Sequence, residues 1–381
     1  MATATKPETG TKDWVSVARD LATDFATRAP EHDTNDTFVA ENYQAMRAAK
    51  LFSAPVPREL GGGGASYAEH CTIIRTLGRG CGSTALAYSM HSHLLQALIW
   101  RHTHGATPPA EPLLRRIAAE ELVLVSSGGS DWLEGSGTLT KRNGSYTFNA
   151  RKIFGSGSPG GDLLLTTGVY DDPAAGPTIL HFGVNLKAPG VKILDNWRTM
   201  GMRGTGSNDI VIENVDVQDT NVSVRRPKGK WHQFFNVVSP LIWPLVLSAY
   251  VGVAESAREI ALAAAHKKKD DLLTQQLLGE LDDELYTAQL LLDTAVAFAN
   301  GLTYEPTLAN ADRVYRQKTI AAKAAVRSVD LAMELVGGAS FFRASGLERQ
   351  FRDIQGIRFH PWHERRQYQF GGRIALGLDP V

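Results

Sequence analysis

Cysteine is nearly absent from this chain: Cys71 and Cys81 are the two thiols in 381 residues. Two thiols build no disulfide framework, and this pair lacks the spacing of a zinc site, so a reducing compartment is expected. An excess of charge is also missing. Lys+Arg and Asp+Glu number 40 each, which removes any global attraction to nucleic acid or an anionic membrane. The run Lys267-Lys268-Lys269 is followed at once by Asp270-Asp271 and reads as a solvated helix end. The stretch Met1 to Gly10 has neither the basic start nor the apolar centre of a secretory leader. A short unstructured tail and a cytoplasmic location are the expectations. Long apolar runs are scarce, the exception being the uncharged segment Phe234 to Ala254. Its 21 residues could span a bilayer, but Pro240 and Pro244 interrupt its first half and Asn236, Ser239 and Ser248 lie inside it. A buried central helix is the better reading, and no membrane partner is expected.

What is present falls into three blocks, expected as domains at 1–120, 121–228 and 229–381. From Trp14 to about Ala119 apolar residues recur at helical spacing, as in Ala85 to Trp100. The four glycines Gly61 to Gly64 follow Pro55 and Pro57; with no lysine closing the loop they read as a turn, not a phosphate cradle. Between Leu122 and Val224 the pattern changes to short apolar runs: Leu122–Val125, Tyr146–Phe148, Leu163–Thr167, Ile179–Val184 and Ile210–Val217. Turn clusters such as Asn143-Gly144 and Pro173 to Pro177 separate them. That spacing predicts a compact β-sandwich or β-barrel. The third block is helical again. Leu278, Leu281, Leu285, Ala288, Leu292, Ala295 and Ala299 step by three and four, and a second long helix runs from about Asn310 to Val336, stopping at Gly337-Gly338. Seams of this kind predict a four-helix bundle, and the small Ala321, Ala322, Ala324 and Ala325 suit close approach within the chain or between copies. The fold class is therefore α+β in α–β–α order, with a site between the blocks.

Several stretches, taken in order, carry a resemblance. They are Val56 to Gly62, Gly82-Ser83-Thr84-Ala85-Leu86-Ala87 with His91, Gly128-Gly129-Ser130-Asp131, Lys152-Ile153-Phe154-Gly155-Ser156, Met200 to Asp209, Gly337-Gly338, and Leu347 to Asp353. Across nearly the whole chain this series resembles the acyl-CoA dehydrogenase superfamily. The resemblance implies an N-terminal helical domain, a central β-domain, a C-terminal four-helix bundle and a homotetramer. It also implies a flavin, FAD or FMN, between the β-domain and the C-terminal helices. Ser126, Ser127, Ser130 and Ser156 would supply hydroxyls along the pyrimidine edge, with Phe154 and Gly337-Gly338 at the cofactor. The bland alternative is that these serines merely form turns in a glycine-rich β-domain.

One expected feature is missing. Dehydrogenation in this family removes a proton alpha to a thioester carbonyl, which needs a carboxylate base beside the flavin. In register with most members that base falls on Pro361, and with a minority near Trp243; neither side chain can take a proton. Glu364 and Glu255 are the nearest substitutes, and both read better as ion-pair or structural residues. The arginine with which many members reach a neighbouring subunit's FAD is replaced by the shortened stretch Lys267 to Asp271. Tight dinucleotide binding is thereby in doubt.

His360-Pro361 stands in place of the base. This spacing resembles the dibenzothiophene monooxygenase branch, which takes reduced flavin from a separate reductase, reacts it with oxygen and oxygenates an aromatic or amine substrate; for this chain the resemblance implies a small aromatic or heterocyclic molecule. An imidazole there can donate a hydrogen bond at the flavin edge where oxygen reacts. His360, Arg203 and Ser207 are accordingly the candidate catalytic residues, with the loop from Arg203 to Ser207 closing the substrate side. A buried, purely structural His360 is the competing reading. A metal site at His360, His363 and Glu364 is excluded by the Pro361 break. Two other functions stay open: an acyl-CoA dehydrogenase with a displaced base, for which Glu364 is the candidate, and a non-catalytic relative that binds or assembles.

Overall fold

In the computed structural model, residues 12–381 are described, the side chains of Ser130 and Trp132 excepted. The chain opens with helices α1 (Trp14–Asn35), α2 (Ala40–Ala48), α3 (Tyr67–Gly80), α4 (Gly82–Thr103) and α5 (Glu111–Glu120). Local chemistry sets their starts. Asp13 caps α1 by accepting the Ser16 N–H, and Ser66 with Glu69 forms a reciprocal capping box on α3. The glycine cluster is a turn, with Gly61 at φ 92°.

Eight strands follow: β1 (Leu124–Ser126), β2 (Thr138–Arg142), β3 (Ser145–Gly155), β4 (Leu163–Asp172), β5 (Gly176–Asn185), β6 (Val191–Ile193), β7 (Asn208–Gln218) and β8 (Val224–Pro227). They form one mixed sheet in the order β6-β7-β3-β2-β4-β5-β8, with β1 parallel to β4. Asn143-Gly144 makes the two-residue turn of the β2–β3 hairpin, since Arg142 pairs with Ser145. The sheet curls over its own core. Phe148 on β3 meets Phe182 on β5 at 4.9 Å although two strands lie between theirs in the order. The short edge strands β6 and β8 and the polar β2 carry too few apolar residues to show in the sequence pattern.

The third block holds α6 (Gln233–Ala265), α7 (Leu272–Ala299), α8 (Leu308–Val336), α9 (Leu347–Ile354) and α10 (Glu364–Ala375). The three long helices pack on one another, and α9 and α10 pack against α8 to complete the bundle. The predicted seam on α7 is buried from Leu281 to Ala299. α6 is the central helix and 94% of its apolar window is buried inside the protein. Each fully buried Leu, Ile or Val there contributes about 1.5–3 kcal/mol. Pro240 and Pro244 do not interrupt it, contrary to expectation. The Tyr67 hydroxyl donates to the carbonyl of Leu241 at 2.7 Å and lies 3.4 Å from that of Pro240, the carbonyl for which Pro244 has no N–H.

α6 also fastens the first block to the last. A Cβ on Gly78 of α3 would lie 2.6 Å from the Ala249 carbonyl oxygen, and one on Gly252 would lie 2.3 Å from that of Arg75. The two helices therefore touch backbone to backbone. Arg75 reinforces the crossing by pairing with Glu255, so Glu255 is held in an ion pair away from any reaction centre.

Candidate active site

A cavity of about 670 Å³ opens where the three blocks meet. The β-domain supplies the loop Ser126 to Gly129 and the end of β3; α6 supplies Trp243, Val246 and Tyr250; the loop Phe359 to His363 closes the remaining side. A break in register between Lys152 and Gly155 lets β3 change direction at its end. Phe154 there has φ 58°, a strained conformation for a bulky residue, and its half-exposed ring stands 5.8 Å from that of Trp197. Lys152, two residues earlier, turns inward to Asp131 at 2.8 Å.

The hydroxyls at this wall form a directed chain. Thr205 donates to the Met202 carbonyl at 2.9 Å, so its oxygen is left to accept from Ser207 at 2.7 Å. Ser207 in turn accepts from Ser156 at 2.8 Å. With its proton committed, Ser156 offers acceptor lone pairs to whatever fills the cavity. Ser126 is buried at the end of β1, and Ser127 beside it also lines the space. Ser130 falls on a side chain outside the described ones.

On the opposite side His360 Nε2 lies 2.8 Å from the Tyr250 hydroxyl. Tyr250 is fully buried, which pushes its pKa well above 10, and its hydroxyl has no other acceptor among the described residues. The network therefore assigns Tyr250 as donor and Nε2 as acceptor, which leaves the imidazole proton on Nδ1. Burial, then Lys318 and His93, hold the His360 pKa down to about 3, so the ring is neutral near pH 7.

Lys318 is a residue that sequence reasoning missed. Its ammonium is buried on α8 and donates to the carbonyls of His360 at 3.2 Å and Trp362 at 2.9 Å, clamping the turn. Burial lowers its pKa to about 8. The signal was legible in principle: Ala311, Tyr315, Lys318 and Ala322 share one buried stripe of α8, where a lysine is out of place. A Cβ on Gly129 would stand 1.9 Å from the Pro361 ring, so this turn also rests directly on the β-domain loop.

His93 is the second such residue. Its Nδ1 faces the Ser89 carbonyl at 3.3 Å and its ring lines the cavity, with a pKa lowered to about 4 by burial. His91 points the other way. It accepts the Leu124 N–H at Nδ1 (3.0 Å) and donates from Nε2 to Phe52 (2.9 Å), a tie between α4 and β1. The Met200 to Asp209 loop is held from behind: Arg352 donates to the Met200 carbonyl at 2.9 Å and pairs with Asp33, while Asp353 accepts the Met202 N–H.

Four candidate residues are directed elsewhere. Arg203 points at α1, donating to the Asp33 carbonyl at 3.2 Å and lying 3.6 Å from Asp36, because those groups draw the guanidinium off the cavity wall. Gly337 and Gly338 sit exposed at the end of α8, off this chain's cavity. Glu364 is paired with Lys323 at 3.0 Å on the surface. Among the described lining residues the one carboxylate of this cavity is Glu134, which is exposed. No group of three or more His, Cys, Asp or Glu among the described residues could hold a metal.

A second cavity of about 550 Å³ adjoins the first and shares His93, Ser126, Ser127, Gly128 and Ile242 with it. It runs between α4, α5, the β4–β5 face and the first turns of α6.

Comparison with known proteins agrees with this architecture. Residues 11–121 match the acyl-CoA dehydrogenase N-terminal domain and residues 246–365 its C-terminal domain, together more than half of the chain. Among curated proteins, a putative acyl-CoA dehydrogenase, YdbM, of Bacillus subtilis (strain 168) is 28% identical over 92% of this chain and 93% of its own length. The amino sugar nitrososynthase DnmZ of Streptomyces peucetius is 28% identical over 91% of this chain and 89% of its own. The dibenzothiophene monooxygenase of Mycolicibacterium goodii is 27% identical over 94% and 91%. Among solved structures, the nitrososynthase of Micromonospora carbonacea var. africana superposes with a TM-score of 0.88 at 25% identity, covering 98% of each chain. KijD3, solved with FMN and a dTDP-linked amino sugar, gives 0.86 at 27% identity over 96% of this chain and 95% of its own.

Proposed function

The chain belongs to the acyl-CoA dehydrogenase superfamily, and on that premise we propose that it is a two-component flavin-dependent monooxygenase. It would take reduced FMN or FAD from a separate reductase and oxygenate a small aromatic or heterocyclic molecule. The observation that carries this reading is the pair His360 and His93 on the cavity wall where dehydrogenation would need a buried carboxylate base. Glu134 is exposed, and Glu364 and Glu255 are engaged in ion pairs elsewhere.

The residues present fit a flavin. Phe154 and Trp197 offer aromatic faces to a planar ring, and Ser126, Ser127 and Ser156 offer polar atoms to its pyrimidine edge. The flavin supplies activation of oxygen when bound. With Tyr250 occupying Nε2, the Nδ1 proton is the one His360 has to donate, and Lys318 fixes the turn that carries it. His93 is a neutral imidazole whose Nδ1 faces the Ser89 carbonyl, which leaves Nε2 as a hydrogen-bond acceptor for the substrate. The apolar side chains Leu86, Met90 and Val246 exclude water from the same space.

Assembly belongs to the same proposal. Tyr286, Leu290, Ile320, Phe341 and Phe342 are more than half exposed on the C-terminal block, an apolar surface suited to the homotetramer. Gly337 and Gly338 lie beside it, so they would serve a flavin only across that contact. Cys71 and Cys81 are free and buried, which suits a cytoplasmic setting.

The test is to mix the protein anaerobically with reduced FMN or FAD and then with oxygen in a stopped-flow cell. A long-lived absorbance unlike oxidised or reduced flavin is expected. Protein that carries tightly bound FAD, is bleached by an acyl-CoA and shows no such phase would be a dehydrogenase instead.

A further inference from the structure

The second cavity is built for one kind of molecule. Leu94, Leu98, Leu113, Leu165, Phe234 and Val238 make its walls, so its body accepts apolar groups. His93, Ala97 and Arg101 all line it and stand four residues apart on α4, one stripe of that helix. At 1.5 Å per residue, Arg101 lies about 12 Å along the axis from His93, at the far end from the shared opening.

Arg101 is half-buried, and burial lowers its pKa. Its guanidinium donates to two carbonyl oxygens, Pro108 at 2.9 Å and Ser223 at 3.4 Å. Among the described residues no carboxylate lies within ion-pair distance of it. Three of its five N–H groups remain for a ligand. The other arginine on this lining, Arg116, is already paired with Glu120 at 3.0 Å. The surroundings add positive potential. His181, on the same lining, feels Arg226, Lys152 and Arg101, whereas the lining's carboxylate, Asp131, has its charge paired with Lys152 through Oδ2 and only Oδ1 left without a partner. A half-buried cation without an acidic partner, at the outer end of an apolar chamber beside exposed Pro108, Pro109 and Asn221, favours an anion there.

We propose that Arg101 anchors a carboxylate on the substrate, with an aromatic or otherwise apolar body about 10 Å long bridging it to His93. This rests on the reading that the first cavity is the reaction centre, and it makes the substrate class an aryl carboxylic acid rather than a neutral arene. The planar guanidinium fork matches a carboxylate in two parallel hydrogen bonds, which a neutral hydroxymethyl group cannot reproduce.

The experiment is calorimetric titration of the purified full chain with biphenyl-4-carboxylate and with its neutral counterpart, 4-biphenylmethanol. Wild-type protein is expected to bind the carboxylate about tenfold more tightly or better. R101Q should lose that preference while binding the alcohol as before, and R101M, which keeps the aliphatic stem, gives the same reading by a second route. Equal affinity of the wild type for both probes, a preference that survives in either variant, or saturable binding of neither probe overturns the proposal. The titration contains no flavin and no turnover, so its outcome is separate from that of the stopped-flow test.

Discussion

The Tyr250 hydroxyl lies 2.8 Å from His360 Nε2, joining the middle of α6 to a turn 110 residues further along the chain. α6 is rigid here because it is buried on every side from Val238 to Ala254, and the turn is rigid because Lys318 holds two of its carbonyls. One imidazole is thus fixed in place and in tautomer by groups from two long helices. A donor held in this way costs no reorganisation when charge develops beside it.

Removing either member separates their roles. His360→Ala should lower coupled oxygenation by about 10²-fold or more and raise the oxygen consumed per product. Tyr250→Phe frees Nε2, lets the proton move between the nitrogens, and should give a smaller loss of the same kind. Product per oxygen consumed, followed with an oxygen electrode and chromatography, is the readout. Full coupled turnover in His360→Ala would show that the residue is structural.

Lys318→Met tests the clamp. The substitution removes a buried ammonium whose pKa has fallen to about 8, and also two hydrogen bonds to carbonyls. The two effects oppose each other, so stability at pH 7 should stay within about 2 kcal/mol of wild type. The sign with pH is fixed by the lowered value. Between about 8 and the ordinary 10.5 the unfolded wild-type chain holds more protons, so this group's contribution rises with pH there and is absent from the variant. Coupled turnover should fall although the melt barely moves. Urea melts at several pH values beside turnover would refute the clamp if both stayed unchanged.

Much of this architecture was legible in the residue pattern. The α7 seam and the Asn143-Gly144 turn follow from spacing alone, because tertiary packing there agrees with local preference. The motifs led to His360, Ser156 and Ser207, which the structure brings to one cavity. Arg203 shows where such reading stops. Its motif position fixes the backbone, but the direction of a long side chain is decided by Asp33 and Asp36 on another element. His93 stands two residues from His91 on α4, and only the packed fold shows which of the two faces the cavity. Pro240 and Pro244 are a related case, since the packing that holds α6 straight through them, the Tyr67 hydroxyl included, comes from other elements.

Gly129→Ala probes the contact between the β-domain loop and the C-terminal turn. The new methyl would meet the Pro361 ring at 1.9 Å and must push the turn outward. Strain of this kind costs about 1–3 kcal/mol. Flavin affinity, read by fluorescence quenching with FMN, should fall as the Ser126 to Gly129 loop shifts. Gly279→Ala on α7, where a Cβ meets nothing within 4 Å, is the control and should be neutral or stabilising by up to about 1 kcal/mol. Equal flavin affinity in the two variants would mean that the loop and the turn move independently.

Acid should unfold this protein earlier than its balanced charge suggests. Burial is the first cause that holds His70 at about 3 and His91 and His93 at about 4, and His181 and His360 also lie near 3. A base with a lowered folded pKa leaves the unfolded chain with more protons between that value and the ordinary 6.5. Its stability contribution is therefore whole above pH 6.5 and is lost as pH falls towards 4. Each such group changes stability by up to about 1.4 kcal/mol per pH unit. Asp353 works in the opposite sense. Burial raises it to about 6, so its contribution is present below 3.8 and lost as pH rises through 6, offsetting one imidazole in that window. The imidazoles outnumber it, so urea midpoints should fall steadily from pH 7 to pH 5. His70→Gln, which keeps a partner for Gln96, should flatten that slope by the share of one proton. A midpoint independent of pH over this range, or an unchanged slope in His70→Gln, would mean that these rings take up protons while the fold stays intact.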